Sequence, residues 1–184
     1  MSRNSKKTNN LAFSLIEILI SISLIMIMST VFLANFHLGK DESHLNIEIQ
    51  KLAARLRSAQ NNALALIGFE EVGGGWGFYF DDVFPNQYII FFDENGNYDY
   101  DLGEDQFNDQ TKIVQLPEGL EIDKFVINGI EESGELKIIF QPPDPITYIN
   151  DSSNSIVKIF LKGNTDDSIK IIEVNFFGLV DIIQ

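Results

Sequence analysis

Cysteine is absent from the 184 residues. Disulfides, thiolate chemistry and cysteine-ligated zinc are thereby excluded, and any exported domain depends on packing, or on a metal held by oxygen ligands. Positive charge is scarce, with 13 Lys and Arg against 27 Asp and Glu and a formal net charge of −14. From Ser58 to Thr111 there are 11 acidic residues and no basic one, a field that attracts cations and repels phosphate backbones. Beyond Phe140 the basic residues are Lys158, Lys162 and Lys170. Nucleic acid is a disfavoured partner, because its binding rests on Lys and Arg neutralising phosphates. Histidine is limited to His37 and His44, too far apart for the i, i+4 zinc pair of a helix; they read as polar residues near lipid headgroups. Gly73-Gly74-Gly75 is followed by Trp76 and Gly77, without the lysine and hydroxyl of a phosphate loop, and reads as a turn. Asp81-Asp82 are adjacent, which does not establish the carboxylate separation of glycoside chemistry. The chain is expected not to be an enzyme.

What is present first is a long apolar run. Phe13 to Phe36 reads FSLIEILISISLIMIMSTVFLANF, enough at 1.5 Å per residue to cross the roughly 30 Å hydrocarbon layer. Arg3, Lys6 and Lys7 precede it without an acid. The positive-inside bias keeps that end cytoplasmic and sends everything after Leu38 across the membrane. The run exceeds the usual signal-peptide core, and Phe32 spoils a small-x-small cleavage site between Thr30 and Asn35. An ordinary single-pass anchor accounts for the length but not for Glu17. An ionised carboxylate at such depth costs about 3 kcal/mol on insertion scales, and no basic residue lies within the run. Cleavage between Ala12 and Phe13 would create an α-amine four residues before Glu17, and in staggered helices that amine could meet a neighbour's carboxylate.

Lys6-Lys7 followed by Ala12-Phe13-Ser14-Leu15-Ile16-Glu17-Ile18-Leu19-Ile20 resembles the cleavage and methylation signal of type IV pilins and type II secretion pseudopilins, written G-F-T-L-I-E-L. Ala12 stands for the more frequent glycine and Ser14 for threonine. Ile22 stands where many major pilins carry a kinking proline. The resemblance implies a cytoplasmic leader over 1–12, cleavage after Ala12 and methylation of Phe13 by a prepilin peptidase, and assembly through Glu17. Residues 13–38 would form the transmembrane and assembly half of the N-terminal helix, and 39–184 an extracytoplasmic pilin-like domain. The implied partners are the peptidase, other pilin or pseudopilin subunits, the inner-membrane assembly machinery and the lipid bilayer. The implied location is the inner membrane, single-pass, and the filament after assembly.

Past the run, Leu45, Ile49, Leu52, Leu56, Ala59, Ala63 and Leu66 recur at steps of four and three and predict one apolar stripe on a helix. Glu48, Lys51, Arg55, Arg57 and Gln60 are expected on its other face. Aromatic and β-branched runs bounded by Gly, Pro and Asn predict strands at 76–80, 88–92, 112–116, 120–127, 136–140, 156–161, 169–177 and 179–183. Pro142-Pro143 and Asn150–Asn154 read as loops. The fold class expected is α+β, a helix from about Phe13 to Leu66 packed on a mostly antiparallel sheet.

A second likeness lies in Arg55-Leu56-Arg57-Ser58-Ala59-Gln60-Asn61-Asn62-Ala63, Gly75-Trp76-Gly77-Phe78, and Asp93-Glu94-Asn95-Gly96-Asn97 through Gly103-Glu104. It resembles the GspH/FimT class of minor pseudopilins and minor pilins, with Gln60 replacing the frequent arginine. The implied function is that of a noncatalytic subunit in a pseudopilus or pilus. Some relatives of that class bind DNA during uptake, a role the charge argues against. Asp93, Asn95, Asn97, Asp99, Asp101 and Glu104 take positions 1, 3, 5, 7, 9 and 12 of an EF-hand-like spacing, a set of hard oxygen donors that suits calcium. Tyr98 occupies the position where that loop wants glycine. Two readings stay open there: an Asn-Gly turn in a solvated acidic loop, and a calcium site, which as a membrane-anchored calcium-binding or adhesion module would need no polymerisation.

Overall fold

Proline is missing from the sequence between Leu15 and Leu64, and that whole span is helix α1 in the computed structural model. The structure describes residues 14–66, 74–101, 112–142, 146–163 and 168–183, and of 34–43 the backbone alone. The chain divides into two units, Met1–Lys40 and Asp41–Gln184. In the first unit, Leu15–Leu33 is apolar and none of it is buried within the protein. At 1.5 Å per residue it is about 28 Å long, the thickness of a bilayer core. Three of its hydroxyl groups are absorbed by the helix itself. Ser21 and Ser23 donate to the carbonyls of Glu17 and Leu19 at 2.8 Å, and Thr30 donates to that of Ile27 at 2.8 Å, so none of the three presents an unsatisfied O–H to lipid.

In the second unit the predicted stripe is buried from Leu45 through Ile49, Leu52, Leu56 and Ala59 to Ala63. Ala53 joins it. Two expectations fail at its margins. Leu66 is 54% exposed, because the helix has already ended: Leu66 adopts a φ of 55° and its N–H bonds to Ala63 O. Glu48 is buried rather than on the solvated face. Its carboxylate accepts from Lys51 Nζ at 2.6 Å one turn further on, so the acid is paired where it leaves water.

Among the described residues the stripe packs on two five-stranded sheets rather than on one. The first has the order β3-β2-β1-β6-β7 and the second β10-β9-β8-β4-β5. The strands are β1 Gly75–Asp81, β2 Gln87–Asp93, β3 Lys112–Gln115, β4 Leu120–Ile127, β5 Ile130–Glu132, β6 Glu135–Gln141, β7 Ile146–Ile149, β8 Val157–Gly163, β9 Ile169–Val174 and β10 Val180–Ile183. Every pairing is antiparallel. The α+β class and the helix-on-sheet packing are thus present, with the sheet divided in two. One hydrophobic cluster joins Leu52 and Leu56 of α1, Phe78, Tyr88 and Ile138 of the first sheet, and Ile159, Leu161 and Ile172 of the second. Strand β8 shows why this chain forms such a layer: Val157, Ile159 and Leu161 are buried while Lys158, Phe160 and Lys162 between them are half-exposed, the period-two signature of a one-sided sheet.

Strands β5 and β7 are additional to those predicted. The first is three exposed residues, and the second is a four-residue edge strand that pairs with β6. Strand β9 stops at Val174, short of Phe177. Asn175 Oδ1 there accepts from the N–H groups of Phe177 and Leu179 at 3.0 Å, turning the chain into β10.

Close approach within the first sheet depends on Gly77. It faces Phe91 across β1 and β2, and a Cβ placed on it would overlap the Phe91 ring. The ring, fully buried, therefore lies on bare backbone. Gly77→Ala is expected to cost about 1–3 kcal/mol of stability through overpacking. Adding Phe91→Leu should recover part of that loss, as read by urea unfolding of the detergent-solubilised chain. An unaltered midpoint in the single variant would show that the strand pair has slack.

Candidate functional site

The candidate residues named by the sequence lie in two places: the helix start around Glu17, and the acidic loop after β2. Ala12 and Phe13 lie outside the described residues, so the structure bears only on the glutamate. Glu17 stands in the first turn of α1, where its N–H bonds to Ser14 O at 3.0 Å. A carboxylate in a first turn has a modest favourable interaction with the helix dipole, about 0.3–1 kcal/mol. That falls well short of the roughly 3 kcal/mol of burial in lipid. Among the described residues Glu17 makes no ion pair. Its exposed neighbours Ile16, Ile18, Leu19 and Ile20 are all apolar.

The acidic loop is organised by its own side chains. Asp93, at the end of β2 and fully buried, accepts from Gly96 N at 2.7 Å through one carboxylate oxygen and from Tyr98 N at 3.1 Å through the other. Asn95 Oδ1 accepts from Asn97 N at 2.9 Å, and Asn97 Oδ1 from Asp99 N at 2.8 Å. Asp101 Oδ2 accepts from the amides of Asn95 and Asn97 at 3.1 and 2.6 Å. Asp99 bonds Tyr100 N and forms a 2.6 Å ion pair with Lys137 on β6. These oxygens are thus engaged inside the fold. Among the described residues no group of three acidic or histidine side chains is placed to hold a metal. Glu104 lies outside the described residues. The calcium reading consequently rests on spacing alone, and coordination would have to exchange the bonds just described.

The tyrosines between the acids are what the spacing argument missed. Tyr98 takes a left-handed backbone, φ 64°, at the position where a calcium loop would have glycine. A side chain there costs on the order of 1 kcal/mol, offset because Tyr98 stacks on Tyr148 at 4.2 Å and its hydroxyl donates to Gln141 Oε1 at 3.0 Å. Tyr100 packs on Tyr79 and Phe91 at 5.0 and 5.2 Å. The loop is therefore laid over the outer side of the first sheet and covers the Phe91 ring.

The helix segment carrying the second likeness serves as an anchor. The Arg55 guanidinium donates to the Tyr88 hydroxyl and lies 5.8 Å from its ring. Arg57 donates to Val180 O at 2.6 Å and Gln60 to Phe177 O at 3.3 Å. Polar residues of α1 thus grip both sheets along the flanks of the buried stripe. His44 is exposed; the side chain of His37 lies outside the described residues.

Burial works to raise the Asp99 carboxyl, but the Lys137 ammonium and the Tyr100 N–H outweigh it and hold it below the ordinary 3.8. Burial likewise acts to lower Lys137, and Asp99 outweighs it and raises the ammonium above the ordinary 10.5. A carboxyl depressed on folding adds stability above pH 3.8 that disappears as pH falls through its folded value. Asp99→Asn should therefore cost about 0.2–1 kcal/mol at pH 7, the range of an exposed pair. The gap between wild type and variant should close on acidification below pH 3.8. Asp93, raised because burial outweighs the backbone N–H groups it accepts from, has the opposite sign and cancels in that comparison. A gap that persisted at low pH would exclude the ion pair as its source.

Comparison with protein-family models, with curated proteins and with solved structures returns no match.

Proposed function

We propose that the chain is a noncatalytic structural subunit, a minor pilin or minor pseudopilin, held in the inner membrane by the first half of α1 and added to a type IV pilus or type II secretion pseudopilus through the same helix. The fold supports the coarse part of this reading, a membrane-associated module built of a helix and sheets. The observation that carries the finer part is Glu17, a carboxylate without an ion pair among the described residues, in a helix segment of membrane length with no buried surface of its own. A charge in that position is favoured by a partner that another chain brings.

In this reading prepilin peptidase cuts after Ala12 and methylates the amine of Phe13. Removing the leader takes away Arg3, Lys6 and Lys7 and no acid, changing the formal charge from −14 to −17, while one new positive group appears at the chain start. That amine meets Glu17 of the adjoining subunit as the assembly machinery draws apolar helices from lipid into the filament. The second unit faces outward on the extracytoplasmic side, and its buried side chains serve packing. The DNA-uptake alternative finds no support in a chain with 27 acidic and 13 basic residues.

Glu17→Ala should leave membrane insertion intact, since it removes a burial penalty, and lower subunit recovery in sheared filaments by about tenfold or more. Equal recovery would contradict a role for the carboxylate and favour an anchored module that never polymerises. Ala12→Asp should retain the leader. Mass spectrometry of the chain from cells with an active prepilin peptidase is expected to find Met1 in that variant and methylated Phe13 in the wild type. A wild-type chain starting at Met1 would remove the processing step.

A further inference from the structure

A small cavity of about 200 Å³ lies between α1 and the edge of the first sheet, lined by Arg55, Ser58 and Asn62 of the helix, Trp76 of β1, Ile90 of β2 and Lys112 of β3. Helical spacing puts Arg55, Ser58 and Asn62 along one side of α1, next to the buried Leu56, Ala59 and Ala63. Lys112 pairs with Ile90, which pairs with Phe78. A lysine in that row stands on the same sheet face as the fully buried Phe78. Inward charge on an edge strand often guards against edge-to-edge pairing. Such a guard needs no second cation, yet here Arg55 borders the same space from the helix.

Charge sets this cavity apart. Lys51, Lys124, Lys137 and Lys158 each sit on a carboxylate. Among the described residues neither Arg55 nor Lys112 has an ion pair, and no acid lines the cavity. One guanidinium N–H goes to the Tyr88 hydroxyl, which orients the group and leaves further donors for a planar, forked acceptor. Ser58 and Asn62 add neutral donors beside it. Trp76, only 6% exposed, and half-buried Ile90 supply apolar walls that strengthen a charge-assisted hydrogen bond.

The geometry points to a carboxylate-binding pocket, in which Arg55 and Lys112 hold the anion against Trp76 and Ile90 with Ser58 and Asn62 as supporting donors. Its volume is below the roughly 300–1,000 Å³ of sites for drug-sized ligands. It suits a side-chain carboxylate of a polypeptide or a free small dicarboxylate, which share this chemistry. The inference stands whether or not the chain polymerises.

Trp76 is the single tryptophan of the chain, so its fluorescence reports on the pocket directly. The full chain in detergent would be titrated with glutarate, with the peptide Ac-Gly-Glu-Gly-NH2, with its glutamine analogue and with inorganic phosphate. A saturable change with glutarate or with the glutamate peptide supports the site, and the tighter of the two identifies the source. Binding should weaken about tenfold or more in Lys112→Gln, consistent with the loss of one charged contact, and the glutamine peptide should give no saturable change. Lys112 is exposed, so that variant keeps the fold even if Arg55→Gln does not. No saturable response to either carboxylate, an equal response to the glutamine peptide, tighter binding of phosphate, or undiminished affinity in Lys112→Gln would each overturn the assignment.

Discussion

One row of side chains holds the second unit together: Leu45, Ile49, Leu52, Leu56, Ala59 and Ala63 carry one side of α1 into the core shared by both sheets. Without that row each sheet would keep its hydrogen bonds but would expose an apolar face. A buried leucine replaced by alanine costs about 2–5 kcal/mol, so loss of any two would rival the whole net stability of an ordinary domain. Ala59 and Ala63 matter for the opposite reason, since their small size lets the sheets come close. Polar residues then fix the helix rotation, with Arg55 on Tyr88, Arg57 on the Val180 carbonyl and Gln60 on the Phe177 carbonyl.

The outer side of the first sheet is managed differently. Phe91 and Ile139 are buried there although the helix lies on the other face, because the loop after β2 folds back and seats Tyr100 against Phe91. Acidic residues in this loop bend the backbone by accepting its N–H groups, and tyrosines between them supply the adhesion. Polar and aromatic positions therefore act together, and a census of charge alone sees half of the construction.

The helix, its stripe and the longer strands were legible in the sequence because each had enough residues to display a period. Strand β7 was not, since its four residues are held at the sheet edge by pairing with β6 and by the long-range bond from Thr147 N to Phe176 O. The division into two sheets was hidden for the same reason: β1 pairs with β2 and β6, while β4 pairs with β5 and β8, and neither choice is written in local pattern. Glu48 misled because its charge suggested a solvated face, whereas its spacing, three residues after Leu45 and four before Leu52, sets it at the margin of the stripe, where it is buried and paired with Lys51. The Arg55 and Lys112 pocket was invisible in sequence, where its members lie on four separate elements.

Unit 1 poses a separate constraint, that of a carboxylate in an exposed apolar segment. Spacing named Glu17, and the helix places it among apolar neighbours, but the group proposed to neutralise it belongs to another chain. The most direct measurement replaces Ile16 or Ile18 with a photo-crosslinking residue in cells that assemble filaments and identifies the adducts by mass spectrometry. The account predicts adducts to the first residues of a neighbouring processed pilin-like subunit. Adducts confined to lipid would contradict it.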